Sequence, residues 1–258
     1  MAILDDEVNM KVCNLASGSK GNSTFIQTKN HNILIDIGVT TLYIETNLKE
    51  IGIDPKSIDL VLITHAHTDH TGGLKVFNKK YHPKVYISDK IIKEAKLNKD
   101  DYDVLDNLDD ITDIKISEIK LSHDVTDIKG FIIEEDKSSM VYITDTGYIN
   151  KNYFDILKNR SLYIFESNHD VEKLMNNPKY PHHIKIRILS DKGHLSNEDS
   201  SYYLTKLIGN DTKEVVLAHL SEENNTEELA YNTLKSKLDK TVRISIARQN
   251  EKSELFEI

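Results

Sequence analysis

Cysteine is nearly absent from this chain. Cys13 stands alone among 258 residues, so no disulfide can form within the chain and no cysteine-based zinc site can be built. Long apolar runs are missing as well; nothing approaches the roughly 20 residues that a membrane-spanning helix needs. Positive charge is in deficit, with 33 Lys and Arg against 42 Asp and Glu and a formal net charge of −9. That balance argues against a protein that grips nucleic acid through a broad basic face. It leaves room for an enzyme that must release its substrate, because bound divalent cations make a site locally positive whatever the surface carries. The first nine residues hold Asp5, Asp6 and Glu7, the wrong charge for a signal peptide, and together with the lone cysteine this points to a reducing cytoplasm. Residues 1–9 read as a short tail. Residues 10–258 read as a single domain, since no low-complexity segment or composition break divides them.

What the chain does have is concentrated in one place. Leu60-Val61-Leu62-Ile63 is an apolar strand that runs into Thr64-His65-Ala66-His67-Thr68-Asp69-His70, three histidines and an aspartate within six residues. Core packing does not call for that density of imidazole. Metal binding does, because neutral imidazole and carboxylate are preferred by zinc and its neighbours.

Other elements follow from hydrophobic period and turn residues. Strands are expected over 11–15, 23–28, 33–37, 59–63, 85–88, 114–121, 162–165, 214–220 and 242–247, with a hairpin over 131–135 and 140–144. Helices are expected over 40–51, about 72–78, 90–97, 152–158, 170–176, 196–208 and 226–238. Ser196 and Asp199 at the start of one of them resemble a capping box. The acidic stretch 100–113 reads as a solvated loop. Ser17-Gly18-Ser19-Lys20-Gly21-Asn22 is either a plain hairpin loop or one whose N–H groups and Lys20 face a phosphate; it lacks the ending of a Walker A loop. Cys13 reads as a small buried hydrophobe, and His31 and His82 as surface residues.

Several apolar strands deliver a candidate ligand at their C-terminal ends: Ile63-Thr64-His65, Leu121-Ser122-His123, Ile143-Thr144-Asp145 and Leu217-Ala218-His219. A carboxylate can bridge two cations and a neutral imidazole ordinarily cannot. Asp145 is therefore the natural bridge, with the histidines divided between two metals. Two cations about 3.5–4 Å apart activate a water and clamp the attacking and leaving oxygens of an ester.

The His65-Ala66-His67-Thr68-Asp69-His70 run, followed by a later His, a strand-end Asp and a final His, resembles the metallo-β-lactamase superfamily. Further segments resemble its YycJ/WalJ-like exonuclease branch: Leu15 to Ser23, Phe165-Glu166-Ser167-Asn168-His169-Asp170, Ile188 to Asn197, and Leu217-Ala218-His219-Leu220-Ser221. The resemblance implies an α/β fold, a four-layer αβ/βα sandwich with a dinuclear metal site between the sheets. It implies His65, His67 and His123 on one metal, Asp69, His70 and His219 on the other, and Asp145 between them. The two divalent ions would be Zn²⁺ or Mn²⁺, with Fe or Co also suited to such ligands.

Asp69 and His194 are implied as catalytic, His194 by protonating the leaving group or stabilising the phosphate. Glu166 and His169 are orienting partners of ligands, or an ordinary cluster at a helix start. Lys185, Arg187 and Lys192 lie in the one locally basic stretch, which is either a phosphate grip or a solvated run; Ser221 is a further phosphate candidate. The implied activity is a 5′-to-3′ exonuclease on DNA. The alternatives are an RNA-processing or cyclic-nucleotide phosphodiesterase, a thioester or lactone hydrolase on the same fold, and a non-catalytic metal-binding protein.

Overall fold

The computed structural model describes residues 10–238 and 241–258; the tail expected over 1–9 lies outside the described residues. Two sheets face each other. β1 (Lys11–Ala16), β2 (Ser23–Gln27), β3 (Asn32–Ile35), β4 (Leu60–Leu62), β5 (Lys84–Tyr86) and β6 (Asp103–Val104) lie side by side in that order. β7 (Lys115–Lys120), β8 (Lys129–Glu135), β9 (Ser138–Ile143), β10 (Leu162–Glu166), β11 (Glu214–Ala218) and β12 (Arg243–Ile246) form the second sheet. β13 (Phe256–Glu257) returns to the first and pairs antiparallel with β1. Each sheet starts antiparallel, through β1–β2–β3 and β7–β8–β9, then continues parallel through β6 and β12.

Alternation along the strands explains the layers. Leu60 and Leu62 point into the core between the sheets, which also holds Ile33, Ile35, Phe131, Tyr142, Ile164 and Val216. Val61 and Ile63 point the other way, into a second core with Ile44 and Leu48 of α1 (Thr41–Glu50). Both faces of the strand are therefore covered, which is why it reads as an unbroken apolar run. α2 (Thr68–Thr71), α3 (Leu74–Tyr81) and α4 (Asp89–Glu94) follow α1 on this half, and Leu74, Phe77 and Ile91 complete that core.

The second sheet is covered by α5 (Phe154–Leu157), α8 (Asn197–Leu207) and α9 (Glu227–Lys235) through Leu157, Leu204, Leu207, Ala230 and Leu234. Two short helices, α6 (Val171–Asn176) and α7 (His182–Ile188), precede α8. Fully burying each such aliphatic or aromatic side chain stabilises the fold by roughly 1.5–3 kcal/mol. The result is an αβ/βα sandwich. Among the described residues, no helix is long and apolar enough to cross a membrane.

Several expectations need correcting. The helix expected over about 72–78 is found as α3, which starts two residues later and runs on to Tyr81, and a separate short helix, α2, ends just before Gly72. A side chain at 73 would meet the Val39 carbonyl at 2.0 Å, so the chain passes too close there for any other residue. The acidic stretch 100–113 is more than a solvated loop. It contributes β6 to the sheet edge and buries Leu105 and Leu108 in the inter-sheet core. The helix α7 and the strand β13 were not expected. His31 is half-buried rather than freely exposed, between Asp59 and Asp113. Cys13 is fully buried as expected, and burial pushes its thiol up.

Candidate metal centre

The loop after β4 is braced from three sides. Asp36, just beyond β3, accepts from Thr64 N at 2.8 Å and from Thr64 Oγ1 at 2.8 Å. Asn22 N donates to the Asp69 carbonyl at 2.7 Å, from the loop joining β1 to β2. Gly38 lets the backbone approach from the third side; a Cβ there would lie 1.6 Å from the Asp69 carbonyl oxygen. Within this brace His65, His67, Asp69 and His70 curl towards one point.

The second sheet supplies the opposite wall. Asp145 follows β9 and His219 follows β11, both in the left-handed backbone region with φ of 58° and 57°; Asp36 shares it at 61°. That region is sparsely used by residues other than glycine, though Asp and His tolerate it better than most, and each instance costs on the order of 1–3 kcal/mol. Three strand ends thus turn sharply, and all three carry side chains of the site. Ser17 Oγ steadies one of them by accepting from His219 N at 2.8 Å.

Four overlapping groups of side chains bring their ligating atoms within 4.8 Å of one another: His65, His67 and His123; Asp69, His70 and His219; His65, His70 and Asp145; and Asp145, Glu166, His194 and His219. His65 Nε2 stands 3.1 Å from His67 Nδ1. Asp145 Oδ2 lies 3.2 Å from His70 Nε2, and Asp145 Oδ1 lies 3.4 Å from His219 Nε2 and 4.0 Å from His123 Nε2. One carboxylate therefore faces rings from both halves of the cluster.

The outward ring nitrogens are fixed by partners behind them. His70 Nδ1 meets Asp36 at 2.7 Å, and His65 Nδ1 meets Thr64 Oγ1 at 3.0 Å. His123 Nδ1 donates to the Gly193 carbonyl at 3.0 Å. A side chain at 193 would sit 2.0 Å from the Ile188 carbonyl, so glycine permits the tight return that brings this carbonyl to His123. Glu166 Oε1 accepts from His194 Nδ1 at 2.8 Å and from His219 Nδ1 at 3.0 Å. Because those partners accept at Nδ1, the neutral rings of His123 and His219 keep their Nε2 lone pairs facing the cluster, the state a metal ligand requires.

Charge is arranged to match. Burial alone would raise Asp145, but His219 and His70 hold its carboxyl well below the usual range. Burial would likewise raise Glu166, and His194 and His219 outweigh it to bring the carboxyl down to about 2. Burial would lower His219, yet Asp145, Asp69 and Glu166 lift it to about 10. Burial and the neighbouring His70 push His65 well below its ordinary value.

The residues fit a divalent cation on a second observation. Asp145 Oδ2 and His219 Nε2 are buried and make no hydrogen bond. Buried polar atoms without a partner are expensive, and a cation among them would satisfy both.

All seven His and Asp side chains expected as ligands come together, with His194 beside them. His67, Asp69, His123, Asp145, His194 and His219 line a cleft of about 220 Å³, joined at its mouth by Arg187 and Lys192. Lys185 is outside that lining; its Nζ bonds the Met175 carbonyl at 2.6 Å. Ser221 faces a neighbouring hollow of about 310 Å³ shared with Ser17, Arg248 and Gln249. Lys20 pairs with Glu222 at 2.7 Å, and the loop carrying it joins two antiparallel strands, a hairpin connection that also buttresses the site. His169 is buried with both ring nitrogens unbonded, and burial lowers its pKa to about 4.

Sequence reasoning missed Asp36, Thr64, Asn22 and Asp124. Asp36 left one signal, an acid inside the apolar run Ile33 to Ile37. Asp124 Oδ1 stands 3.1 Å from His123 Nε2, and its Oδ2 pairs with Arg187 Nη1 at 3.2 Å.

Two facing mixed sheets, clad in helices and joined by a His/Asp cluster at their strand ends, define a metallohydrolase architecture. The chain belongs to the metallo-beta-lactamase superfamily, whose family model matches residues 16–219. That fold implies divalent metal ions, and the cluster offers candidate ligands for them. Among individual proteins, the chain is 36% identical over 245 residues to exodeoxyribonuclease WalJ of Streptococcus pneumoniae, covering 90% of this chain and 89% of that one. It is 34% identical over 223 residues to exodeoxyribonuclease YycJ of Bacillus anthracis, covering 84% of each. The metallo-beta-lactamase fold protein YhfI from Bacillus subtilis superposes with a TM-score of 0.71 at 16% identity, covering 95% of this chain and 99% of that one. The short form of human tRNase Z superposes at 0.63 with 14% identity, covering 95% and 98%. Likenesses at such low identity speak to the fold.

Proposed function

We propose that this protein is a metal-dependent exonuclease that removes nucleotides from DNA in the 5′-to-3′ direction. The observation that carries the reading is near-full-length similarity to two exodeoxyribonucleases, joined to a cleft where a His/Asp cluster, His194 and two cations meet. Residues 10–258 act as one domain, in a cytoplasm where the buried Cys13 stays reduced.

His65, His67 and His123 would hold one divalent ion and Asp69, His70 and His219 a second, with Asp145 available to both. Zinc and manganese are the leading candidates, since the ligand set does not choose between them. Two such ions supply Lewis acidity and a nucleophile at neutral pH. The chain's own groups do the rest. Arg187 and Lys192 hold the backbone phosphate at the mouth of the cleft, Arg187 through the planar fork that suits phosphate oxygens. Lys185 and Ser221, outside the cleft lining, serve phosphates further along the strand. With both ring nitrogens protonated, His194 donates its Nδ1–H to Glu166, which orients the ring, and passes the Nε2 proton to the departing 3′-oxygen. Asp69, beside His70 and His219, keeps the ligand set anionic.

The test is cleavage of end-labelled single- and double-stranded DNA and RNA with Mn²⁺ or Zn²⁺. The expected result is mononucleotide release from 5′-labelled DNA, abolished by Asp69→Ala and by His70→Ala. Full metal occupancy with no cleavage of any nucleic acid would refute the proposal.

A further inference from the structure

Five of the six histidines around the cleft have an outward nitrogen held at 3.3 Å or less: His65 by Thr64, His70 by Asp36, His123 by the Gly193 carbonyl, and His194 and His219 by Glu166. His67 differs. Its Nδ1 faces His65, and the carboxylate opposite its Nε2 is Asp124, with Oδ1 3.7 Å away. The other oxygen of that carboxylate is engaged by Arg187 at 3.2 Å.

Asp124 is poorly placed where it stands. Its Oδ1 lies 3.1 Å from His123 Nε2, and in the neutral ring that nitrogen carries a lone pair, because Nδ1 holds the proton for Gly193. An oxygen facing a lone pair gains nothing. The Nε2–H of His67 is the better partner, about half an ångström too far for a good hydrogen bond. Arg187 supplies the restraint. Its side chain is 60% exposed at the end of α7, free to turn towards an arriving phosphate.

We propose that Asp124 is a shared positioning carboxylate that couples phosphate binding at Arg187 to retention of metal at His67. Without substrate, Arg187 holds Asp124 at the mouth of the cleft. A phosphate draws the guanidinium away, and Asp124 closes on His67 Nε2–H and fixes that ring as a ligand. By linkage, the factor by which phosphate tightens metal binding is the factor by which metal tightens phosphate binding. The inference rests on the metal assignment above and adds a residue that assignment does not use.

The test is a double-mutant cycle read as Mn²⁺ affinity by competition with a chromophoric chelator, without any cleavage assay. Asp124→Ala is expected to weaken Mn²⁺ binding about tenfold, as loss of a ligand's orienting partner does. Arg187→Ala is expected to tighten it about fivefold by releasing Asp124. In the Asp124→Ala background, Arg187→Ala should change nothing, and inorganic phosphate should tighten Mn²⁺ binding in the parent protein but not in Asp124→Ala. Lys192→Ala is the charge control, since it removes a cleft cation outside the pair. Equal tightening by Arg187→Ala in both backgrounds, or equal tightening by Lys192→Ala, overturns the coupling and leaves simple charge removal. Failure of the parent protein to bind Mn²⁺ or Zn²⁺ overturns the metal assignment itself. Melting curves of the metal-free proteins check folding, and Asp124→Leu, of similar size and without an acceptor, repeats the cycle should Asp124→Ala not fold.

Discussion

Replacing Glu166 by Gln changes one atom in a fully buried carboxylate, and its geometry makes the outcome severe. Oε1 accepts from His194 Nδ1 at 2.8 Å and His219 Nδ1 at 3.0 Å, while Oε2 accepts from Thr146 N and Leu195 N, each at 3.0 Å. Four donors converge on two oxygens. An amide has one oxygen and one NH₂, so either orientation aims N–H at two donors and loses two hydrogen bonds. Hydrogen bonds to a charged group contribute about 1.5–3 kcal/mol each, which puts the loss near 3–6 kcal/mol before relaxation. If the amide turns its nitrogen to the histidines, His219 and His194 lose their fixed tautomers together.

Loss of an orienting partner costs a ligand 10- to 100-fold in metal affinity, roughly. The assay measures metal affinity by chelator competition and 5′-nucleotide release over a range of metal concentrations. Glu166→Gln should need far more metal for half-maximal activity, and saturating metal should restore occupancy but not the full rate, because His194 stays misoriented. Because the Glu166 carboxyl titrates at about 2 when folded against an ordinary 4.5, the parent should also lose stability as pH falls through that window, and the variant should not show that loss. Metal affinity and rate both within about twofold of the parent would refute the reasoning, since a twofold change corresponds to only about 0.4 kcal/mol.

Metal-free His219 holds its proton up to about 10 against an ordinary 6.5, so its contribution to stability is complete below pH 6.5 and lost as pH rises through 10. Metal loading must displace that proton, so calorimetry at pH 7.5 in buffers of different ionisation enthalpy should register proton release; none would refute the assignment of His219. Gly38→Ala places a Cβ 1.6 Å from the Asp69 carbonyl oxygen, and we expect a loss of roughly 1–3 kcal/mol of unfolding free energy, read as a lower denaturant midpoint, together with reduced metal content. His169 titrates at about 4 when folded, against an ordinary 6.5, so its contribution to stability is lost as pH falls between those values. His169→Phe keeps the ring, removes two unbonded nitrogens, and should flatten that acid limb without loss of stability at neutral pH, measured by urea unfolding at pH 7 and pH 5.

The strand-end residues were legible because chemistry and period coincide there. Four ligating side chains in six residues after an apolar run admit few readings, and the strands that end near 145 and 219 announce themselves by the same period. The bracing residues were legible only in part. Glu166 was one of two open readings, and its place on His219 lies 53 positions away; Asp36 reaches His70 across 34 positions and nothing local marks it as a partner. Helix α7 escaped notice because Ile184, Ile186 and Ile188 alternate with Lys185 and Arg187, the period of a strand and not of a helix. In the stretch 100–113, dense acid concealed Leu105 and Leu108, two side chains sufficient to tie it to the core. The split between α2 and α3 depends on the closeness of Val39, a tertiary fact.

The candidate ligands are drawn from both sheets, over residues 65 to 219. Half a chain emerging during synthesis can hold His65, His67, Asp69 and His70, yet it lacks the opposite wall. Contacts so distant in sequence form late, after the costly closure of long loops. A cation therefore finds its full set of candidate ligands only once the two sheets have met, unlike the ion in a small zinc domain that folds around its metal. Which ion such a site selects then depends on metal availability and on the geometry that the packed strands impose on their ligands.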